Sequence, residues 1–540
     1  MTHEISRRDF IHLAAKAGGA SAAYSSMVAM GLLPAPAAYA GPPPLAPGSG
    51  AGINVMILGA GITGMTAAYE LRKADYTCKI LEARSRPGGR NWSLRRADVV
   101  EETDTRQTVS WDPDDHLYFN PGPARIPHHH QGILSYCREL EVPIEVIIND
   151  NRAAYLHDDK AFDGKPQLAG SVIGDARGFV AELAAKAVAQ HLLDEPISML
   201  DRKRVLEFLT AFGDLEEHFM TYQGSSRAGY TTPPGPCAPA RVLGKPIDLW
   251  QLLSSNFWER PKGARMFFGE TFAQAATMLQ PVGGMGRIGE AFGRKLAAVI
   301  QYDTEVTAIE KTPRGVKVRC RPTGLREPPE LRPAPVFEAD YLICTIPFSV
   351  LRNIESDFSK EIQAGIASVD YTPAGKIAFE AERRFWELDH QIYGGISWTS
   401  RDITQIWYPS TGFHRTKGIL VGAYIWGKEL GEAFAAKHPE KRVTDAIADG
   451  EALHPNYGRS LGKGVSVAWS NIPFTRGAWA SWDDKARNQY YPTLSKGDHD
   501  GRILFAGEHM SYLNGWQEGA VLSAHCAIDQ IAKHVRENKP

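Results

Sequence analysis

The sequence lacks most of the features that mark specialised protein classes. Its 540 residues include six cysteines, and no two of them form a Cys-x-x-Cys pair, which argues against a disulfide scaffold or a structural zinc site. Sixty Lys and Arg residues against 62 Asp and Glu residues give a net charge of −2, which indicates no polyanionic partner. No stretch approaches the ~18 uninterrupted apolar residues of a membrane-spanning helix. We therefore expect no nucleic-acid or membrane partner and no bound metal.

The composition is that of a folded globular protein. Apolar residues make up 43% of the chain and charged residues 23%, which excludes a disordered, collagen-like or coiled-coil protein. No internal repeat is visible. The length predicts two or three domains, or one large composite fold.

The first forty residues have the pattern of an export signal. Arg7 and Arg8 stand in a Ser-Arg-Arg-Asp-Phe-Ile string, an apolar stretch rich in Ala and Gly follows, and residues 38–40 give an Ala-x-Ala cleavage site. This order is typical of a twin-arginine signal peptide at residues 1–40. We expect export by that route to the periplasm or the exterior, with residues 41–50 as a Pro- and Gly-rich linker.

A strand–helix–strand unit with a glycine-rich turn is predicted next. An apolar run at 53–58 leads into a G-x-G-x-x-G turn, a helix-like segment follows at 65–74, and a second strand at 78–81 ends at Glu82. The order and spacing predict a dinucleotide-binding unit. The turn consists of Gly59, Ala60, Gly61, Ile62, Thr63 and Gly64.

Each residue type in this unit has a physical reason. Gly59 permits the tight turn, and Gly61 lets a pyrophosphate approach the backbone at the helix N-terminus. Gly64 lets the helix and the strand pack closely. Glu82 would accept hydrogen bonds from a ribose hydroxyl and repel a 2′-phosphate, so NADP is disfavoured.

The continuation of this unit resembles the FAD-binding amine oxidase superfamily. Residues 82–90 read Glu-Ala-Arg-Ser-Arg-Pro-Gly-Gly-Arg, and later segments match the superfamily in order, at 280–285, 305–309, 341–347 and 502–520. The resemblance implies FAD as the cofactor. It implies cofactor contacts from Gly59, Gly61, Ile62, Thr63, Gly64, Glu82, Ala83, Arg84, Gly89, Arg90, Gly122, Pro123, Ala124, Arg125, Val306, Gly507, Glu508, Trp516, Gln517 and Ala520.

The same resemblance implies an α/β (α+β) fold with a discontinuous Rossmann-like FAD-binding domain. A mixed-sheet substrate domain, largely antiparallel, and a helical lobe with helix-compatible stretches at 174–193 and 198–222 would complete it. The implied segments are 51–111, 275–345 and 466–540 for the FAD-binding domain, 112–154 and 346–465 for the substrate-binding domain, and 155–274 for the helical domain.

The candidate substrate residues resemble those of L-amino acid oxidases. Residues 119–127 contain the G-P-x-R-I-P segment in which an arginine, here Arg125, clamps the substrate α-carboxylate, because a guanidinium offers two parallel donors to a carboxylate. Tyr424 is the implied second carboxylate ligand. Lys376 resembles the lysine that holds a water against the flavin. Gly515 and Trp516 are implied substrate contacts, and Trp479 and Trp516 would form two aromatic walls.

Two further features concern the cofactor and a metal. Ala478 stands where some monoamine oxidases have a cysteine that tethers the flavin, so the FAD is expected to be non-covalent. Three consecutive histidines, His128–His130, suggest a metal site, but consecutive residues cannot all reach one ion from a regular element, and a solvated loop or a pocket-edge histidine is the expectation.

The implied reaction is oxidation of the α-amino group of an L-amino acid by hydride transfer to FAD, with O2 as acceptor. The products are a 2-oxo acid, ammonium and H2O2. An amine oxidase without carboxylate recognition, an L-amino acid 2-monooxygenase and a non-enzymatic flavin-bearing protein remain alternatives. The sequence leaves the oligomeric state open, and a homodimer is common among the proteins that it resembles. The sequence does not determine the side chain of the substrate. Four aromatic residues favour a pocket for an apolar or aromatic side chain: Trp398, Trp407, Phe413 and Trp426. The acidic residues in 200–260 would instead favour a cationic side chain.

Overall fold

The computed structural model describes residues 39–190, 192, 198–232, 235, 242–259, 266–323 and 335–538. The paired arginines and the apolar stretch of the predicted export signal lie outside these residues. The chain divides into two units, Met1–Pro43 and Pro44–Pro540. All elements described below belong to the second unit.

A five-stranded parallel sheet lies at the centre of the nucleotide-binding part. Its middle strand, Asn54–Leu58, is buried on both faces: Val55 and Ile57 pack into one apolar cluster, and Met56 and Leu58 into another. Covered parallel strands require such continuous apolar runs, which is why residues 53–58 read as a strand. The strand order is Ile300–Gln301, Thr77–Leu81, Asn54–Leu58, Tyr341–Cys344 and Ile503–Phe505.

Helices cover one face of this sheet and a second sheet lies over the other. The first apolar cluster is completed by the helices Ile62–Lys73, Gly286–Lys295 and Gln517–Asn538. On the opposite face, the second cluster includes residues of a four-stranded sheet. Its strands, in order, are Val336–Ala339, Gly315–Pro322, Thr304–Thr312 and Glu355–Ser356.

A seven-stranded sheet forms the second large element and confirms the expected, largely antiparallel, mixed sheet. Only the pairing of Gly395–Thr399 with Tyr155–His157 is parallel among its described pairs. The sheet extends beyond residue 154 into the segment expected to be helical. The order is Leu461–Ala468, Ala374–Ala381, Gly418–Trp426, Gln405–Tyr408, Gly395–Thr399, Tyr155–His157 and Gln167–Leu168.

Two long helices follow the strand Gln167–Leu168 in the chain. The first, Ala169–Ala189, lies close to the predicted stretch. The second, Met199–Gly213, ends well before residue 222 because Asp214 adopts a left-handed conformation with φ 52°, which terminates an α-helix. The remaining described α-helices are Gln131–Glu139, Leu249–Ser254, Phe348–Leu351, Lys360–Ala367, Phe385–Leu388, Lys428–Ala436, Pro439–Gly450, Tyr457–Ser460 and Asp484–Lys496, and a short 3₁₀ helix at Phe268–Glu270 carries Phe268.

Small sheets connect these parts. Met278–Pro281 pairs with both Ile126–Pro127 and Ile144–Ile147 and so fixes the segment that carries Arg125. The other pairs are Val99–Glu101 with Arg106–Thr108, Tyr230–Thr232 with Val242–Leu243, and Asp370–Thr372 with Trp479–Ser481. Within the described part of the chain, every helix is too short or too polar to cross a lipid bilayer.

Candidate active site

A cavity of about 470 Å³ brings together segments from the whole second unit. One part is lined by the glycine-rich turn and the residues after Glu82, and another by side chains from the seven-stranded sheet and the Arg125 segment. All predicted cofactor contacts except Gly64 line it, and so do the predicted substrate contacts Arg125, Lys376, Tyr424, Trp479, Gly515 and Trp516. Among residues that the sequence analysis did not assign, Asn91, Phe268, Gln274, Gln405, Trp469 and Phe474 also line it.

Gly64 serves the packing of the turn. A Cβ atom there would lie 2.1 Å from the backbone oxygen of Gly59 and 3.1 Å from Ile57. The glycine is therefore required by helix–strand packing, which is the role that the spacing predicted. Gly64 does not line the cavity, so its surroundings give no support to its assignment as a direct cofactor contact.

The helix N-terminus at the turn is open toward the cavity. Gly61 is the N-cap of the helix Ile62–Lys73, so no side chain caps this terminus. A Cβ at Gly61 would meet no atom within 4 Å. The amides of the first helical turn thus face free space, and Ile62 and Thr63 line it. This arrangement suits a pyrophosphate, which takes hydrogen bonds from free N–H groups and is favoured by the helix dipole.

Glu82 follows the second strand and is buried. Its carboxylate accepts hydrogen bonds from the backbone amides of Ala60, at 2.7 Å, and Arg84, at 2.9 Å. These contacts tie the carboxylate to the glycine-rich turn. A carboxylate has about four lone-pair sites, so acceptor capacity remains for a ribose hydroxyl.

Arg90 and Glu508 form a partly buried ion pair beside the cavity. Arg90 Nη1 lies 2.8 Å from Glu508 Oε1 and also donates to the backbone oxygen of Ala478 at 2.7 Å. Glu508 Oε2 accepts from the amide of Gly515 at 3.1 Å. Burial opposes ionisation of Glu508, but the charges of Arg90 and His509 and the hydrogen bonds from Gly515 and Arg90 together outweigh it, and the pKa of the carboxyl is lowered. Glu508 therefore remains an anion that orients the Gly515 backbone.

These features together fit FAD. The open helix N-terminus, the space at Gly61 and the free acceptor sites of Glu82 match the diphosphate and a ribose. Val306, on the strand Thr304–Thr312, lines the same cavity. The C-terminal helix begins at Gln517. Gln517 and Ala520 of its first turn also line the cavity.

The guanidinium of Arg125 lies between two aromatic rings of the cavity. It is stacked between the rings of Phe268 and Trp407, with centroid distances of 5.1 and 4.6 Å. Nε and Nη1 are buried and have no hydrogen-bond partner within the described residues. Burial lowers the pKa of Arg125 to about 10, so the group stays cationic at neutral pH. A buried guanidinium without an anion is costly, and a ligand carboxylate would relieve that cost.

Lys376 and Tyr424 lie directly opposite each other on neighbouring strands. Lys376 Nζ is 4.7 Å from the centroid of the Tyr424 ring and donates to the backbone oxygens of Asn120, at 3.0 Å, and Gly122, at 2.7 Å. Burial and, secondarily, the Arg125 charge lower the pKa of Lys376 to about 7. Burial also raises the pKa of Tyr424. Its phenol therefore stays protonated and can donate a hydrogen bond to a carboxylate.

Trp479, Gly515 and Trp516 line the cavity, as the sequence predicted for the substrate contacts. The ring of His130 meets the Trp516 ring edge-on at 5.0 Å. His130 is buried, whereas His128 is exposed, so the expected solvated loop is wrong for His130, because that ring packs on Trp516. No group of three or more potential metal ligands occurs among the described residues.

The side-chain expectations are partly corrected. Trp398, Trp407 and Trp426 line the cavity, but Phe413 does not and instead packs on Tyr393 at 5.7 Å. Of the described acids in 200–260, none lines the cavity either. Phe268 and Gln405 were missed because no local pattern distinguishes them. Asn91 adjoins Arg90 directly and could have been inferred from that adjacency.

Comparisons with known proteins agree with this geometry. A family model described as flavin containing amine oxidoreductase matches residues 62–532. Similar curated proteins include a putative L-amino-acid oxidase, YobN, of Bacillus subtilis (strain 168), 25% identical over 87% of this chain and 92% of the relative. The flavin-dependent L-tryptophan oxidase RebO of Lentzea aerocolonigenes is 25% identical over 88% of this chain and 98% of its own.

Solved structures share the fold. A putrescine oxidase bound to putrescine superposes with a TM-score of 0.57 at 17% identity, over 89% of this chain and 98% of that one. Cyclohexylamine oxidase from Brevibacterium oxydans IH-35A also gives 0.57, at 15% identity, over 90% of this chain and 99% of that one. With the matched family spanning most of the sequence and the cavity fitting FAD, the chain belongs to the flavin-containing amine oxidoreductases and is an FAD-dependent oxidoreductase acting on amines or amino acids.

Proposed function

We propose that the protein oxidises the α-amino group of an L-amino acid, giving a 2-oxo acid, ammonium and H2O2 with O2 as the acceptor. The observation that carries this proposal is Arg125, whose buried Nε and Nη1 have no partner among the described residues. An amine without a carboxylate would leave this cation uncompensated. The names of the curated relatives, several of which are L-amino-acid oxidases, support the same choice.

The residues of this chain orient the substrate. Arg125 binds the α-carboxylate, and its ring stack with Phe268 and Trp407 holds the guanidinium plane in one direction. Tyr424 donates a second hydrogen bond to the carboxylate. Bidentate binding of this kind fixes the α-carbon and lowers the entropic part of the barrier. FAD, when bound, would supply the acceptor for the hydride that leaves the α-carbon.

The other residues act on the amino group and on water. The Gly515 carbonyl accepts a hydrogen bond from the substrate amine, and Glu508 orients this backbone through the Gly515 amide. Trp479 and Trp516 exclude water from the two sides of the amine. Lys376 donates hydrogen bonds to the carbonyl oxygens of Asn120 and Gly122. When the amine is protonated, its third N–H remains for a bound water.

Product analysis of the purified holoenzyme tests the proposal. With an L-amino acid mixture under air, we expect stoichiometric H2O2 and 2-oxo acid. An amide with one carbon fewer would identify a 2-monooxygenase. Faster turnover of decarboxylated amines than of the parent amino acids would identify an amine oxidase without carboxylate recognition. No bleaching of the flavin by either class under anaerobic conditions would refute enzymatic oxidation of both.

We further propose that the protein is exported by the twin-arginine route. The support is the Ser-Arg-Arg-Asp-Phe string ahead of Ala38-Tyr39-Ala40. This route carries folded proteins, which suits a protein loaded with FAD before export. Replacing Arg7 and Arg8 together by Lys should leave active, flavin-loaded protein in the cytoplasm, and fractionation with an activity assay measures this. Normal export of the double variant would contradict the proposal.

A further inference from the structure

Four aromatic rings line the cavity around and beyond Arg125 and form an aromatic compartment: Phe268, Trp398, Trp407 and Trp426. Phe268 stacks on the guanidinium and also meets Trp398 edge-on, with ring centroids 5.1 Å apart at 65°. The aromatic surface therefore continues from the carboxylate-binding group to a second ring. A substrate whose carboxylate reaches Arg125 has this surface within reach of its side chain.

Two of the four rings, Trp407 and Trp398, are held by the surrounding structure. Trp407 is almost fully buried, and its Nε1 donates to Gln405 Oε1 at 2.7 Å. Trp398 lies on the strand Gly395–Thr399 and packs against an apolar cluster. Because buried aromatic side chains lose little freedom on binding, such a surface is preorganised for a flat apolar group.

The compartment contains no acid to receive a cationic side chain. Of the described residues that line the cavity, three are carboxylates: Glu82, Glu305 and Glu508. Glu82 accepts two backbone amides, Glu508 pairs with Arg90 at 2.8 Å, and Glu305 takes two hydrogen bonds from Arg321, at 2.6 and 2.9 Å. A substrate ammonium placed among the rings would lose its hydration without gaining a counter-charge.

An anionic side chain is disfavoured as well. Arg125 would already hold the α-carboxylate, and Lys376 is bonded to two backbone oxygens. A second carboxylate would either lie among the rings or compete for Arg125 in an unproductive orientation.

We infer that this enzyme is selective for L-amino acids with neutral aromatic side chains, and that Phe268 and Trp398 determine this selectivity. The inference rests on the proposed function, since it assigns the side-chain class of that same substrate. Ring-on-ring contacts add to the burial that any apolar side chain gains, by roughly threefold to tenfold for each pair. An aliphatic side chain of similar size receives the burial without that addition.

The test is a panel of kcat/KM values for the holoenzyme, from peroxide release, with L-phenylalanine, L-leucine, L-lysine, L-glutamate and phenethylamine. We expect L-phenylalanine to exceed L-leucine by roughly threefold to tenfold. It should exceed L-lysine and L-glutamate by roughly a hundredfold or more, because their charges would be desolvated.

Two variants and a matched control locate the selectivity. Phe268→Leu and Trp398→Leu should each lower the L-phenylalanine to L-leucine ratio toward one while FAD content and the flavin spectrum stay unchanged. Trp250→Leu makes the same substitution at an exposed residue outside the lining, and its ratio should match the wild type. Should one variant fail to hold FAD, the other variant and the wild-type panel still decide the question.

The outcomes separate this inference from the proposed function. Preference for L-lysine, L-glutamate or L-leucine overturns the aromatic selectivity but leaves amino acid oxidation intact. Unchanged ratios in both flavin-loaded variants overturn the roles of Phe268 and Trp398. Oxidation of phenethylamine with no turnover of any amino acid overturns the proposed function, and this inference with it.

Discussion

The two parts of the cavity are built in different ways. The nucleotide part depends largely on backbone groups and small residues of one continuous stretch, from Gly59 to Arg90, to which Val306, Glu508 and the first turn of the C-terminal helix are added. The substrate part collects single side chains from distant segments: Arg125, Phe268, Lys376, Trp407, Tyr424 and Trp516. A diphosphate needs free amides and space, which a turn of fixed spacing provides. A substrate side chain needs particular shapes and charges, and the tertiary fold brings these together.

Removal of the Arg125 guanidinium should break the substrate part and spare the nucleotide part. Arg125→Met loses a charge-assisted carboxylate contact worth about 2–5 kcal/mol in a desolvated site, so kcat/KM for the best L-amino acid should fall by about two orders of magnitude. FAD content should stay at the wild-type level. Arg125→Lys should recover little, since an ammonium lacks the planar fork.

The decarboxylated substrate provides the control for Arg125. Wild type should oxidise the amino acid far faster than the corresponding amine, and Arg125→Met should narrow that difference. An unchanged amino acid to amine ratio in the variant would show that Arg125 does not bind the carboxylate.

Two glycines three residues apart sharpen the comparison within the nucleotide part. Gly64→Ala places a Cβ 2.1 Å from the Gly59 oxygen, and overpacking of this kind costs about 1–3 kcal/mol. Gly61→Ala meets no atom within 4 Å, so the stability of the apoprotein should change by less than about 0.5 kcal/mol. FAD affinity should nevertheless fall in the Gly61 variant, because the methyl group occupies the space of the pyrophosphate.

Denaturant unfolding of the apoproteins and FAD titration measure the two effects separately. Equal destabilisation of the apoprotein by both substitutions would contradict the division between packing and cofactor binding.

The lowered pKa of Lys376 should make the free energy of unfolding depend on pH. This pKa is lowered to about 7 by burial and the Arg125 charge, whereas an unfolded lysine titrates near 10.4. Between about pH 7 and 10 the unfolded chain therefore binds a proton that the folded protein has released. Raising the pH through this window should stabilise wild type relative to Lys376→Met by about 1 kcal/mol per pH unit.

Unfolding free energies of both proteins at pH 7, 8 and 9 measure this, with Lys428→Met as the control at an exposed lysine. Arg125→Met should move the onset to higher pH, because the Arg125 charge contributes to the lowered pKa. A difference between wild type and Lys376→Met that shrinks as the pH rises would refute the assignment.

The smallest expected effect concerns Ala478, at the border of the two parts. Its methyl side chain offers no nucleophile to the flavin, although the residue lines the cavity. Acid precipitation should therefore release all of the flavin into the supernatant. Absorbance of the washed pellet near the flavin bands, compared with a covalent flavoprotein treated in parallel, measures any retained fraction.

Sequence and structure agree best where the signal is local. The strand Asn54–Leu58, the turn and the helix after it lie within a few residues of their predicted positions. The helix predicted for 198–222 ends early instead, at Gly213, because Asp214 adopts a left-handed conformation. Amino-acid composition alone does not show which residue will adopt that conformation. Gly64 was assigned to the cofactor, but its surroundings are the strand and the turn.

The sequence by itself determined the nucleotide part, because the spacing of the glycines and the acid at the end of the second strand directly encode backbone geometry. Arg125, Lys376 and Tyr424 were predicted through the resemblance of their local segments to those of L-amino acid oxidases. Only the tertiary structure decided that Phe268, from a short helix, and Trp407, from the seven-stranded sheet, enclose the guanidinium. These contacts join residues 143 and 282 positions away from Arg125. Such contacts depend on how sheets and helices pack, and no local spacing records them.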